Sequence, residues 1–163
     1  MLKITPLIPR QPVPNLKVAT VGGGTWTLSE QTPENFILLI FFRGLHCPIC
    51  STYLRELQRR LDEFAEAGVT CIAVSPDSKA RAEIAVEEWG LEYLTLGYGI
   101  SIDTARKWGL FVSTGRGSTS SGVKETRLFS EPGLFLIRPD GTLYFSSVQT
   151  MPFARPSFED ILK

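Results

Sequence analysis

Two thiols separated by two residues, Cys47-Pro48-Ile49-Cys50, are the residues best placed to do chemistry. A thiolate is a nucleophile, and two cysteines at this spacing can close and reopen a disulfide. Ahead of them runs Phe36-Ile37-Leu38-Leu39-Ile40-Phe41-Phe42, an apolar stretch that reads as a fully buried strand. Behind them, Leu54, Leu57, Leu61 and Phe64 recur at helical spacing and predict an amphipathic helix from Pro48 to Glu66. The pair therefore sits at a helix start, where unpaired N–H groups and the helix dipole favour an anion. Half of a zinc site is the rival reading. A closed zinc site needs four ligands, whereas only Cys71 and His46 remain to supply others, and Cys71 lies alone in the strand-like Val69–Val74. A redox pair is the better reading, with no metal and no cofactor.

The elements that must position this pair fit one domain. The 163 residues are 43% hydrophobic and 21% charged, values of an ordinary globular chain. Lys+Arg and Asp+Glu are equal at 17 each, which removes the bulk electrostatic case for nucleic acid or an anionic membrane. No signal-peptide core is visible at the N-terminus and no apolar run approaches the ~20 residues of a membrane span. The expectation is a cytoplasmic protein, in whose reducing surroundings a close cysteine pair is catalytic rather than structural.

Residues 1–15, with prolines at 6, 9, 12 and 14, read as an extended leader, and residues 16–163 as the domain. Leu16–Val21 and Thr25–Leu28 flank three glycines and predict an N-terminal β-hairpin. The Phe36–Phe42 strand, the Pro48–Glu66 helix and a Val69–Ser75 strand follow. A helix capped at Asp77 or Ser78 and ended by Gly90 carries Ala82, Ala85, Val86 and Trp89 on its apolar face, and a short helix spans Ile102–Trp108. Both tryptophans read as core. Gly115–Gly122 reads as a mobile polar loop, Gly133–Ile137 and Leu143–Ser147 as a hairpin about Pro139-Asp140-Gly141, and Phe158–Lys163 as a last helix. Early alternation of strand and helix implies parallel strands, and the late hairpin adds an antiparallel edge. The fold class is α/β, a mixed central sheet with helices on both faces.

From Leu16 onward the chain resembles the thioredoxin fold, and more closely the peroxiredoxin-like AhpC/TSA family. Phe41-Phe42-Arg43-Gly44-Leu45-His46-Cys47-Pro48-Ile49-Cys50 is similar to that family's strand and short loop leading to Thr-x-x-Cys. Gly68 to Asp77 resembles its central strand, and Phe135-Leu136-Ile137-Arg138-Pro139-Asp140-Gly141 its late hairpin. The resemblance implies a thioredoxin-like fold and a thiol-dependent oxidoreductase that reduces peroxides or disulfides through a Cys47/Cys50 dithiol–disulfide cycle. Cys50 occupies the position of the peroxidatic cysteine and Cys47 that of the family threonine. Mapped onto thioredoxin instead, Cys47 attacks, Cys50 resolves, and the protein is a disulfide reductase. A non-catalytic binding module is the third reading.

Pro132 stands where peroxiredoxins carry an arginine and thioredoxins a cis-proline. Met151-Pro152-Phe153-Ala154-Arg155 matches a second family segment that ends in arginine, so Arg155 is retained. Arg43 and Arg155 are the candidate positive charges for lowering a thiolate pKa, Arg127 a remote substitute, and His46 a candidate proton donor or modulator. The implied partners are a peroxide or disulfide substrate, an external dithiol of thioredoxin or glutathione type, and a second copy in a homodimer served by aromatics such as Tyr98 or Phe111. The first cysteine of the pair is expected to be the more exposed one.

Overall fold

The structure is a computed structural model, and it describes residues 5–163. Nine strands and five helices follow one another: β1 (Lys17–Thr20), β2 (Thr25–Thr27), β3 (Phe36–Phe41), α1 (Pro48–Arg59), α2 (Leu61–Glu66), β4 (Val69–Val74), α3 (Lys79–Trp89), β5 (Thr95–Tyr98), α4 (Ile102–Lys107), β6 (Val112–Thr114), β7 (Leu128–Ser130), β8 (Gly133–Ile137), β9 (Leu143–Val148) and α5 (Phe158–Leu162). Seven strands form one sheet in the order β2-β1-β5-β4-β3-β8-β9, and β6 pairs with β7 apart from it. The β3–β4 and β4–β5 pairs are parallel, while β8 and β9 run antiparallel beside β3. The mixed sheet expected from the sequence is present, with its thioredoxin-like arrangement.

Burial of β3 on both faces explains its unbroken apolar run. Leu38, Ile40 and Phe42 join Leu54, Leu57, Phe64, Ala85, Trp89 and Phe158 in a core under α1, α2, α3 and α5. Ile37, Leu39 and Phe41 join Ala105 and Trp108 in a second core under α4. There Phe41, Trp108 and Phe135 pack ring against ring with centroids 5.1–5.7 Å apart. Both tryptophans are core residues, as expected.

Three parts differ from the sequence reading. The long helix is broken at Arg60, whose non-helical backbone separates α1 from α2. The short strand β5 escaped notice because Thr95–Tyr98 includes a glycine and has little alternation. The Gly115–Gly122 segment is the tip of the β6–β7 hairpin, tied across by a Ser118–Lys124 bridge and by Arg116 N–H donating to Glu125 at 2.6 Å. The described part of the leader, residues 5–15, turns at Arg10, where φ is +69°. Its Arg10 and Val13 N–H groups donate to Leu143 and Gly141 carbonyls at 2.8 and 3.0 Å, which lays it along the start of β9.

Candidate active site

The cysteines stand at the C-terminal end of β3, the end at which open α/β sheets place their sites. Between strand and helix the chain must turn within a few residues, and Gly44 makes this possible with φ at +132°. A Cβ there would also lie 2.7 Å from Asp77 Oδ1. Asp77, nearly fully buried at the end of β4, receives the Leu45 N–H at 2.7 Å and the Arg81 guanidinium at 3.1 Å. Burial raises its carboxyl pKa, and the Leu45 and Arg81 contacts oppose that rise. Asp77 thus holds the turn that aims the cysteines, a role invisible in a sequence where it read only as a possible helix cap.

Cys47 is the N-cap of α1. Its sulfur accepts the Cys50 N–H at 3.2 Å, with the two Cα atoms 5.2 Å apart, and the two sulfurs are joined as a disulfide. Contrary to the expectation of an exposed first cysteine, both are buried, Cys47 at 1% and Cys50 at 0% exposure. Both pack with Leu45, Phe42 and Leu54 in the core under α1. Cys71 stays free in β4, where burial pushes its thiol up to about 12, and so takes no part in the pair.

Arg155 reaches Cys50 from 105 residues away, its Nη2 donating to the sulfur at 3.0 Å. The segment before it turns back on itself at Ala154, with φ at +56°, and Arg155 Nε donates to the Pro152 carbonyl at 2.9 Å. Tyr53, one helical turn after Cys50, supports the guanidinium on its ring face at 4.7 Å. Its hydroxyl donates to the Pro156 carbonyl at 2.7 Å, and its ring stacks on Phe158 at 4.4 Å. Burial lowers the Arg155 pKa to about 10, which still leaves a full positive charge at neutral pH. Sequence reasoning missed Tyr53, although its position three residues after Cys50 puts it on the same helix face.

Arg43 is found elsewhere. Its guanidinium pairs with Glu131 at 3.2 Å and lies 4.5 Å over the Phe129 ring, so the expected charge beside the cysteines comes from Arg155. His46 is buried with its ring 4.7 Å from Phe129, and burial, helped by the Arg43 charge, lowers its pKa to about 4. It is a neutral imidazole at neutral pH. Pro132 is buried beside Arg155 and Tyr53, its peptide bond trans like every other among the described residues. Arg127 is exposed. Tyr98 and Phe111 are half-buried, which corrects their expected exposure, and the exposed apolar side chains near the site are Met151 and Phe153. An open cleft of about 530 Å³, lined by Ile49, Tyr53, Phe153, Arg155 and Phe158 among others, lies outside the Arg155 guanidinium.

The AhpC/TSA family model matches residues 9–146. The chain belongs to the AhpC/TSA family. No curated protein matches it in sequence. Its fold is similar to that of a reduced 2-Cys peroxiredoxin of Plasmodium vivax, at a TM-score of 0.75 and 20% identity over 96% of this chain and 79% of that one. A peroxiredoxin-like protein of Aquifex aeolicus superposes at 0.75 with 15% identity, covering 98% and 86%, and the peroxidoxin BcpB of Mycobacterium tuberculosis at 0.68 with 17%, covering 86% and 85%. Membership in the AhpC/TSA family makes this chain a thiol-based oxidoreductase, with Cys47 and Cys50 as its redox-active pair.

Proposed function

We propose that the protein is a peroxidase in which Cys50 attacks and Cys47 resolves. The observation that carries this reading is the Arg155 Nη2 contact on Cys50 Sγ at 3.0 Å. A buried guanidinium beside one sulfur of a pair stabilises that sulfur as the thiolate and can also hold a peroxide oxygen. Cys50 further lies within the first turn of α1, where the helix dipole adds to the same effect.

In the cycle, the Cys50 thiolate forms a bond to one peroxide oxygen as the O–O bond breaks. The departing oxygen takes a proton and leaves as water or an alcohol, and Cys50 becomes a sulfenic acid. The Cys47 sulfur then attacks Cys50, hydroxide leaves as water, and the disulfide closes. An external dithiol of thioredoxin type, or two monothiols of glutathione type, returns both cysteines to thiols and is itself oxidised to a disulfide. This chemistry suits a cytoplasm that keeps dithiols reduced. Exposed Met151 and Phe153 beside the cleft are suitable surfaces for a homodimer.

A disulfide reductase with Cys47 as nucleophile is the second reading, favoured by the N-cap position of Cys47, whose sulfur also accepts a backbone N–H. Its burial opposes a bulky disulfide substrate. Single substitutions separate the two. With excess dithiol, Cys47→Ser is expected to retain peroxide turnover and Cys50→Ser to abolish it. Activity on a protein disulfide alone, lost in Cys47→Ser, overturns the peroxidase assignment. Turnover unchanged in both variants would show that the pair does no catalysis and would favour the binding-module reading.

A further inference from the structure

We propose that Arg81 is a positioning residue that latches the β6–β7 hairpin down on the turn before Cys47, and that release of this latch admits a protein dithiol to the Cys47–Cys50 disulfide. The inference rests on the reading of the pair as one that an external dithiol regenerates. One guanidinium joins three parts of the chain. Arg81 Nε donates to Asp77 Oδ1 at 3.1 Å, and Asp77 Oδ2 accepts the Leu45 N–H of the cysteine turn at 2.7 Å. From the same side chain, Nη2 donates at 3.0 Å to the carbonyl of Lys124, 43 residues away in the hairpin tip.

Residues 115–127 depend on that contact. Among the described residues, their other hydrogen bonds stay within the hairpin. Its two strands have three residues each and pair with one another, outside the seven-stranded sheet. Two apolar side chains complete the hold. The Phe129 ring lies 4.5 Å from the Arg43 guanidinium and 4.7 Å from the ring of His46, so it rests on both ends of the turn that leads into Cys47. Val123 packs on the core that contains Cys47 and Cys50. A short element with an exposed tip and few buried contacts belongs to the low end of local stability, and it opens without unfolding the sheet.

Regeneration of the pair gives this opening a role. A reducing thiolate attacks the disulfide sulfur whose partner leaves more readily, and the Arg155 contact makes Cys50 the better leaving group. A bond forms to the Cys47 sulfur as the S–S bond breaks, and Cys50 departs with the electron pair as a thiolate. The second thiol of the reductant gives up its proton and attacks the mixed disulfide. Cys47 leaves and takes up a proton, and the reductant ends as a disulfide. Cys47 is thus the sulfur that a protein dithiol must reach, and the hairpin holds down the residues directly before it. A small dithiol needs less room than a protein, so the latch sorts reductants by size.

Reduction of the oxidised protein tests this and needs no peroxide, so the result stays readable if the peroxidase assignment fails. Arg81→Lys keeps a cation beside the buried Asp77 but lacks the fork that spans Asp77 and the Lys124 carbonyl. Loss of the disulfide is followed by thiol alkylation and mass, with thioredoxin or dithiothreitol at concentrations where the rate still rises with reductant. Arg81→Lys is expected to speed reduction by thioredoxin about fivefold, the effect of one hydrogen bond on the opening equilibrium, and reduction by dithiothreitol less than about twofold. An unchanged rate with thioredoxin, or an equal gain with both reductants, overturns the proposal. Amide hydrogen exchange reads the same opening directly. The Gly115 and Glu125 amides, which donate within the hairpin, should exchange about fivefold faster in Arg81→Lys while those of β3 stay unchanged. Equal acceleration in β3 marks a general loss of stability and sinks the latch. Should the variant fail to fold, the native chain decides. Its Gly115 and Glu125 amides should exchange about a hundredfold faster than those of β3, and exchange as slow as in β3 overturns the proposal.

Discussion

Arg43 stands four residues from Cys47 and Arg155 stands 105 from Cys50, yet the distant arginine touches the sulfur and the near one does not. Strand parity accounts for the difference. Leu38, Ile40 and Phe42 face the core under α1, and Ile37, Leu39 and Phe41 face the core under α4. Alternation therefore directs Arg43 away from the face that α1 covers, toward Phe129 and Glu131. Arg155 escapes that constraint, because it is carried on an irregular segment that folds back over α1. Proximity along the chain is thus a poor guide to proximity in the site.

Breaking the Arg155 side should have the largest effect. Arg155→Met removes a charge-assisted donor from the Cys50 sulfur and, on the proposed peroxidase cycle, is expected to lower kcat/KM for peroxide by about a hundredfold, a loss typical of removing one such donor. A loss below tenfold would place the working charge elsewhere. On the Arg43 side the main expected effect is on stability. The folded His46 pKa, about 4, lies below the ordinary 6.5, so folding favours the neutral ring. That contribution is fully present above pH 6.5 and is lost as pH falls toward 4, about 3 kcal/mol in all. Melting temperatures measured across this window should fall in the native chain and fall less in His46→Leu.

Tyr53→Leu sharpens the comparison from within α1. It keeps apolar packing against Phe158 but removes the ring face under Arg155 and the hydroxyl that holds the Pro156 carbonyl. About tenfold slower peroxide reaction is expected, with a destabilisation of about 1 kcal/mol read from denaturant unfolding. The smallest effect belongs to Arg43→Met. Glu131 left without its partner would take up a proton in its buried site, so two opposite charges vanish together and peroxide turnover should change by less than about fivefold. A hundredfold loss would mean that Arg43 serves the reaction directly.

Much of this was legible in the sequence, in segments whose signals are local. The apolar run of β3, the Cys47–Cys50 spacing and the helical periodicity after Pro48 are local patterns, though the last runs on through the break at Arg60. Arg155 was reachable only through a family segment, because nothing in its own neighbourhood marks it. Asp77, Tyr53 and Glu131 escaped for one shared reason. Each acts across the fold, on Leu45, Arg155 and Arg43 respectively, and a sequence offers no direct sign of such partners. The β6–β7 hairpin was hidden by its glycine- and serine-rich tip, whose composition suggests flexibility. Its strands are three residues each, too short for alternation to register.

Burial of the oxidised pair has a kinetic consequence. Thiol exchange needs an attacking sulfur to reach a disulfide sulfur directly, and Cys47 and Cys50 present 1% and 0% of their surfaces. A reductant as bulky as a protein dithiol can act only when the segments around the pair move aside. Regeneration is then limited by an opening rate rather than by collisions, and its rate should level off as reductant is added. The enclosure that seats Arg155 against Cys50 thus also acts as a clock on each return to the reduced state.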